Sequence, residues 1–127
     1  MRDLVDSESR RWFVTGATGG LGRSIVEYVL QQGDSVIATA RRGGALDDLR
    51  VAYGDRLTVE LLDLSPPAPI DDVITRTLDA AQVDIVVNNA GYALVGAVEE
   101  MSEHQIRDQL EVLLIAPVLI TRAFLQP

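Results

Sequence analysis

Short apolar runs alternate along this chain with longer stretches in which apolar residues recur at helical spacing. Trp12-Phe13-Val14-Thr15 is apolar and β-prone, and it runs directly into a glycine-rich stretch from Gly16 to Gly22. Beyond the glycines, Leu21, Ile25, Tyr28 and Val29 predict a helix with Tyr28 on its core face, and Gly33 stands where a C-cap belongs. Ser35 to Ala40 predicts a second strand, Ala45 to Tyr53 a short helix stopped by Gly54, and Leu57 to Leu62 a third strand. Ser65 before Pro66 reads as a hydroxyl cap followed by a proline at the first helical position, so a helix is expected from there to about Gln82. Asp71 and Asp72 near its start suit the positive end of the helix dipole. Asp84 to Val87 predicts a fourth strand, ended by Asn88-Asn89-Ala90-Gly91. Ser102 and Gln105 match a capping box, and a helix is expected from Glu103 almost to Pro127.

Strand and helix thus alternate four times, which predicts an α/β fold of parallel strands joined by right-handed crossovers, with helices on both faces. The strands are continuous apolar runs, as a sheet covered on both sides requires. One domain over residues 1–127 is expected, with Met1 to Arg10 a loose polar lead-in lacking periodicity.

Apolar residues make up 47% and charged residues 24%, enough for a core and for solubility. The longest apolar run, Val112 to Ile120, falls well short of the roughly 18 residues that span a bilayer. No basic start precedes an apolar run, so a cytoplasmic chain without a membrane partner is expected. With no cysteine, disulfides, thiol nucleophiles and thiolate metal sites are excluded. The net charge of −8 argues against a general nucleic-acid binder, whose affinity rests on neutralising phosphates. All 11 cationic side chains are arginine. Chemistry that needs an ammonium or a Schiff base is therefore closed to this chain alone. The one histidine, His104, falls in the first turn of the last helix without convergent partners, so it is expected to be solvated and no metal site is predicted.

The glycine spacing carries the first chemistry. Gly16 lies where the first strand turns tightly, and Gly20 and Gly22 open the following helix. Without a β-carbon the backbone can approach a pyrophosphate, whose charge meets the free amides and positive dipole of the helix start. A glycine cluster alone is equally a conformational turn; its place between a strand and an amphipathic helix favours binding.

Thr15-Gly16-Ala17-Thr18-Gly19-Gly20-Leu21-Gly22 resembles the T-G-x-x-x-G-x-G cofactor motif of the short-chain dehydrogenase/reductase family. Asn88-Asn89-Ala90-Gly91 resembles the same family's N-N-A-G motif, and the similarity runs from Arg11 onward. The resemblance implies a Rossmann-like doubly wound sheet in the order 3-2-1-4 that binds a nicotinamide dinucleotide across the carboxyl ends of its strands. Carried over by position, Gly16, Thr18, Gly19, Gly20, Leu21 and Gly22 would hold the pyrophosphate. Asp63, with Leu64 beside it, would meet the adenine amino group, although Asp63 could equally cap a turn. Asn89, Ala90 and Gly91 would line the adenosine-ribose side, and Asn88 would tie neighbouring strands through its side-chain amide.

The residue after the second strand reads the ribose edge: a carboxylate there suits NAD, an arginine the 2′-phosphate of NADP. Here Ala40 is followed by Arg41 and Arg42 with no acid, and guanidinium suits phosphate through its planar fork of donors. NADP(H) is therefore expected in preference to NAD(H), with Arg41 the main contact and Arg42 a second. Two arginines that merely solubilise an exposed loop are the alternative. Trp12, taken to lie near the pocket, would report binding by fluorescence.

The family's hydride transfer uses a serine and a Y-x-x-x-K pair, assisted by an asparagine. Four residues beyond Tyr28, Tyr53 and Tyr92 stand Gln32, Leu57 and Gly96, so no catalytic residue is assigned. Tyr53 fits a helix end and Tyr92 a border of the cofactor pocket. Glu111 to Pro117 resembles the family's E-V-N-x-x-x-P pattern with Leu113 in the asparagine's place. Family members are longer, their next strand lying beside strand four and carrying the serine. The expectation is a sheet truncated before that catalytic strand, with strand four an open apolar edge and a last helix apolar all round. Self-association or a complementary C-terminal half follows. The function so implied is the NADP(H)-binding half of an oxidoreductase, inactive alone. The alternatives are a nucleotide-binding module without chemistry and a truncated gene product.

Overall fold

The computed structural model describes residues 8–126, in which strands and helices follow one another as β1 (Arg11–Val14), α1 (Gly20–Gln31), β2 (Ser35–Ala40), α2 (Asp47–Tyr53), β3 (Leu57–Leu61), α3 (Ile70–Ala80), β4 (Ile85–Val87), α4 (Glu103–Leu110) and α5 (Ala116–Leu125). Most of the expected lead-in, residues 1–7, lies outside the described residues. Ser9 and Arg10 are already tied to the fold: the Ser9 hydroxyl donates to the Gly33 carbonyl at 3.2 Å and the Arg10 amide to the Asp34 carboxylate at 3.0 Å.

The four strands form one parallel sheet in the order β3-β2-β1-β4. In register, Trp12 lies between Val36 and Ile85, and Val14 between Ala38 and Val87. Alternation of side chains along each strand divides the core in two. Phe13 and Ile37 face Ile70, Val73 and Ile74 of α3 and Ala116 and Ile120 of α5. Val14, Val36 and Ala38 face Val26, Val29 and Leu30 of α1 and Leu49 of α2. The Phe13 ring also meets the Phe124 ring at 4.9 Å between centroids, tilted by 58°. This is the parallel sheet covered on both faces that the alternating pattern predicts, in the Rossmann-like, doubly wound order that the family resemblance implies. Among the described residues no helix is long and apolar enough to cross a membrane.

Three local expectations are corrected. Helix α1 is rotated from the predicted face: Gly22, Val26, Val29 and Leu30 are buried, while Tyr28 is 64% and Leu21 70% exposed. The reason is Gly22, which must face the preceding turn and so sets the rotation of everything spaced from it. Helix α3 begins at Ile70 rather than at Pro66 behind a Ser65 cap. Each proline pushes the residue before it out of the α region, so Pro66, Pro67 and Pro69 together delay the helix until the last of them has passed.

The last helix is not continuous either. Between α4 and α5, Glu111–Ile115 forms a π-turn in which the Ala116 amide donates to the Glu111 carbonyl. Pro117 supplies the cause: it has no amide to donate, and its ring would strike the carbonyl four residues back in a regular helix. Within this apolar stretch Val112, Ala116 and Ile120 are buried, whereas Leu113, Leu114, Ile115 and Val118 are exposed.

Candidate functional site

At the carboxyl ends of the strands lies a cleft of about 440 Å³, within the range usual for small-molecule sites. The turn after β1 contributes Gly16, Thr18 and Gly19, and the end of β2 contributes Thr39, Ala40 and Arg41. Leu62 to Ser65 follow from β3, Asn89 to Tyr92 from β4, and Val112 from the π-turn.

The turn is built by close approach. A β-carbon on Gly16, whose φ is +65°, would come 2.7 Å from the α-carbon of Ala90. One on Gly22 would overlap the Gly16 carbonyl and the Asn89 side-chain amide. Helix α1 therefore starts hard against the turn, with Gly19 as an N-cap that makes no side-chain hydrogen bond and with no acid in the first turn. Its leading amides and positive dipole are left for an anion.

Thr15 and Asn89 lock the two loops together. The Thr15 hydroxyl oxygen accepts from the backbone amides of Asn89 and Ala90, each at 3.0 Å. The Asn89 side-chain amide donates to the carbonyls of Thr15 and Gly16, each at 3.1 Å. Strand tying is thus the work of Asn89, not of Asn88 as expected. Asn88 donates instead to the Thr121 hydroxyl on α5 at 3.1 Å. The two residues diverge because successive side chains leave a strand end on opposite faces.

Of the residues expected to bind cofactor, the structure gathers Gly16, Thr18, Gly19, Arg41, Asp63, Leu64, Asn89, Ala90 and Gly91 around the cleft. Gly20, Leu21, Gly22 and Arg42 are not on its wall: Gly22 is buried beneath the turn and the other three are exposed. One Asp63 carboxylate oxygen accepts the Ser65 amide at 2.9 Å, so this side chain does shape a turn while lining the cleft. Arg41 and Arg42 are exposed and make no ion pair among the described residues. Thr39, Leu62 and Ser65 were missed, although lying at or just beyond strand ends is itself the signal for this kind of cleft. Val112 carried no such signal; the π-turn brings it in.

Leu113 stands against the β4 turn, where its Cδ2 lies 2.8 Å from the position of a β-carbon on Gly91. Tyr92 borders the cleft, and Tyr53 ends α2 with the Arg56 guanidinium 5.3 Å from its ring centre. His104 is exposed, with Nε2 3.2 Å from Asp108. Trp12 does not lie near the cleft. It sits toward the opposite end of β1, where its indole N–H donates to Asp34 at 2.9 Å.

Beside the cleft, Arg23 joins α1 to the segment after β2. Its Nε pairs with Glu27 at 2.8 Å, its Nη1 donates to the Ala45 carbonyl at 3.4 Å, and its Nη2 pairs with Asp48. The hydrogen bond from Arg23 holds the Asp48 carboxyl below its ordinary pKa, and the same bond raises that of Arg23.

The family model for short chain dehydrogenases matches residues 10–127. An oxidoreductase of Botryotinia fuckeliana is 36% identical over 116 residues, covering 90% of this chain and 42% of the relative. An NADP-dependent 3-hydroxy acid dehydrogenase of Escherichia coli is 43% identical over 82 residues, covering 64% of this chain and 33% of the relative. Among solved structures, a short-chain dehydrogenase from Streptomyces avermitilis superposes with a TM-score of 0.89 at 45% identity, over 94% of this chain and 44% of that one. A metagenomic short-chain oxidoreductase in complex with NADP gives 0.83 at 32% identity, over 91% and 54%. The chain therefore spans less than half the length of the curated relatives it matches.

Proposed function

The chain belongs to the short-chain dehydrogenase family, and from that footing we propose that it is the NADP(H)-binding half of an oxidoreductase acting on an alcohol or carbonyl substrate. The observation that carries the reading is the cleft itself. It combines a turn with no room for a β-carbon at Gly16 or Gly22, a helix start without a side-chain cap, and an arginine, Arg41, that makes no ion pair among the described residues. These features fit a dinucleotide: Gly16, Thr18 and Gly19, with the first amides of α1 at Gly20, Leu21 and Gly22, hold the pyrophosphate. Arg41 meets the 2′-phosphate with Arg42 in support, Asp63 and Leu64 flank the adenine, and Asn89, Ala90 and Gly91 line the ribose side. Two related proteins point the same way, one described as NADP-dependent and one solved with NADP.

The bound cofactor supplies the hydride, and this chain's residues bind and orient it. They do not provide the family's acid–base group, because the sequence contains no lysine to follow a tyrosine and places Leu113 where the asparagine belongs. The 127 residues alone therefore bind nucleotide without turning it over. A complementary C-terminal half carrying the serine, tyrosine and lysine lies beside β4 in the working cytoplasmic enzyme.

Isothermal titration of NADPH and NADH into the chain tests this. Saturable binding, tighter for NADPH and losing that preference in Arg41→Ala, is expected. No saturable binding of NADPH at millimolar concentration overturns the reading.

A further inference from the structure

We propose that Arg23 is a positioning residue for cofactor choice: by clamping α1 to the segment after β2, it holds Arg41 and Arg42 at the place of the 2′-phosphate. The inference rests on the NADP(H) reading above.

The segment between β2 and α2 needs such a clamp. It contains Gly43 and Gly44, the latter at φ +84°, and nothing lies within 4 Å of where a β-carbon on Gly43 would be. Glycine loses the most conformational freedom on ordering, so this stretch resists being fixed. Its ends are held, at one side by β2 and at the other by the buried Leu46. Between them the Arg23 guanidinium reaches the Ala45 carbonyl and, just beyond, Asp48 in the first turn of α2. Arg23 itself is placed by Gly22, whose tight seat against Gly16 leaves α1 no freedom to slide. One planar fork therefore sets the spacing between the turn that takes the pyrophosphate and the arginines that take the 2′-phosphate.

Two alternative roles are weaker. As a stability device the Arg23–Asp48 pair is exposed, and such pairs contribute little. As a direct phosphate ligand Arg23 is badly suited, because Glu27 and Asp48 already offset its charge. Its remaining use is geometric.

The test measures dissociation constants for NADPH and NADH by titration calorimetry in the unaltered chain and in Arg23→Gln, Arg23→Lys, Asp48→Asn and Arg41→Ala. Arg23→Gln and Asp48→Asn are each expected to lower the NADPH-to-NADH preference about fivefold, as partial loss of a charge-assisted hydrogen bond would, with NADH affinity unchanged. Lysine should not restore it, since an ammonium lacks the fork. Asp48→Asn is decisive. Removing a negative charge near a phosphate raises the preference if charge alone acts, whereas loss of the clamp lowers it. A raised preference there, or equal weakening of both cofactors in Arg23→Gln, overturns the proposal. If Arg41→Ala abolishes the preference while Arg23→Gln leaves it intact, the clamp falls and the cofactor reading stands. If Arg41→Ala also changes nothing, or the unaltered chain binds neither nucleotide, both fall.

Discussion

The hydroxyl of Thr15 accepts the backbone amide of Ala90 at 3.0 Å, joining the end of β1 to the loop after β4 across the floor of the cleft. Thr15 is 1% exposed, so no water replaces the bond if the oxygen is removed. Thr15→Val keeps the shape and strands the Ala90 amide, at a cost of about 1–3 kcal/mol by urea unfolding. Thr15→Ser retains the oxygen and should recover most of it. A valine variant as stable as the parent would show that the bond contributes nothing.

The glycines of the turn should differ by position in what a methyl group does. Gly22→Ala forces a methyl into the Gly16 carbonyl, which cannot yield without moving the turn, and into the Asn89 side-chain amide, which can yield only by giving up its hydrogen bonds to Thr15 and Gly16. A loss of about 1–3 kcal/mol in stability, together with loss of nucleotide binding, is expected. Gly20→Ala meets no atom within 4 Å and is strained only through its φ of +54°, for about 1–2 kcal/mol. Calorimetric titration of both variants checks the order, which reverses if space does not matter.

Acid titration should single out Asp48. Its carboxyl is held below the ordinary value of 3.8 by the hydrogen bond from Arg23. The stabilisation is thus complete above that value and fades as the pH falls through the lowered native one. Carboxyl carbon shifts followed by NMR should place the Asp48 midpoint below 3.8 and return it toward 3.8 in Arg23→Gln. A midpoint that ignores the substitution would remove the pair from solution.

The chain is expected to self-associate through the exposed apolar residues of its last helical stretch. Leu113, Leu114, Ile115, Val118 and Leu125 are all uncovered in the isolated chain. Sedimentation velocity should find species heavier than the 13.8 kDa monomer, and Val118→Glu should shift them toward monomer. A parent that stays monomeric at high concentration counts against this surface being sticky.

Strand positions were legible because a buried parallel sheet leaves nothing but apolar runs between turns; β2 falls on Ser35–Ala40 as its pattern indicates. The glycine turn and the loop after β4 were legible for a related reason, since close backbone approach admits few residue types. The errors arose where two local rules compete. At Ser65 the cap rule was outweighed by three nearby prolines, and the Ser65 amide went to Asp63 instead of opening a helix. Tyr28 fits an apolar helix face by spacing, yet the face is chosen by Gly22, which has no side chain to register in such a pattern. The roles of Asn88 and Asn89 depend on which face of the strand end each leaves, which a motif does not state. The π-turn needs the steric demand of Pro117 to be followed back along the helix, beyond the reach of periodicity alone.

The acids at the helix starts have a kinetic consequence. Asp47 and Asp48 occupy the first turn of α2, Asp71 and Asp72 that of α3, and Glu103 that of α4, while the first turn of α1 has none. On a chain of net charge −8, an anionic dinucleotide is repelled at long range and welcomed at the start of α1 on contact. Salt shortens the reach of the repulsion to about 10 Å at 0.1 M while leaving close contacts largely in force. Capture should accordingly become faster as ionic strength rises from low values, the reverse of what a basic nucleotide-binding surface shows.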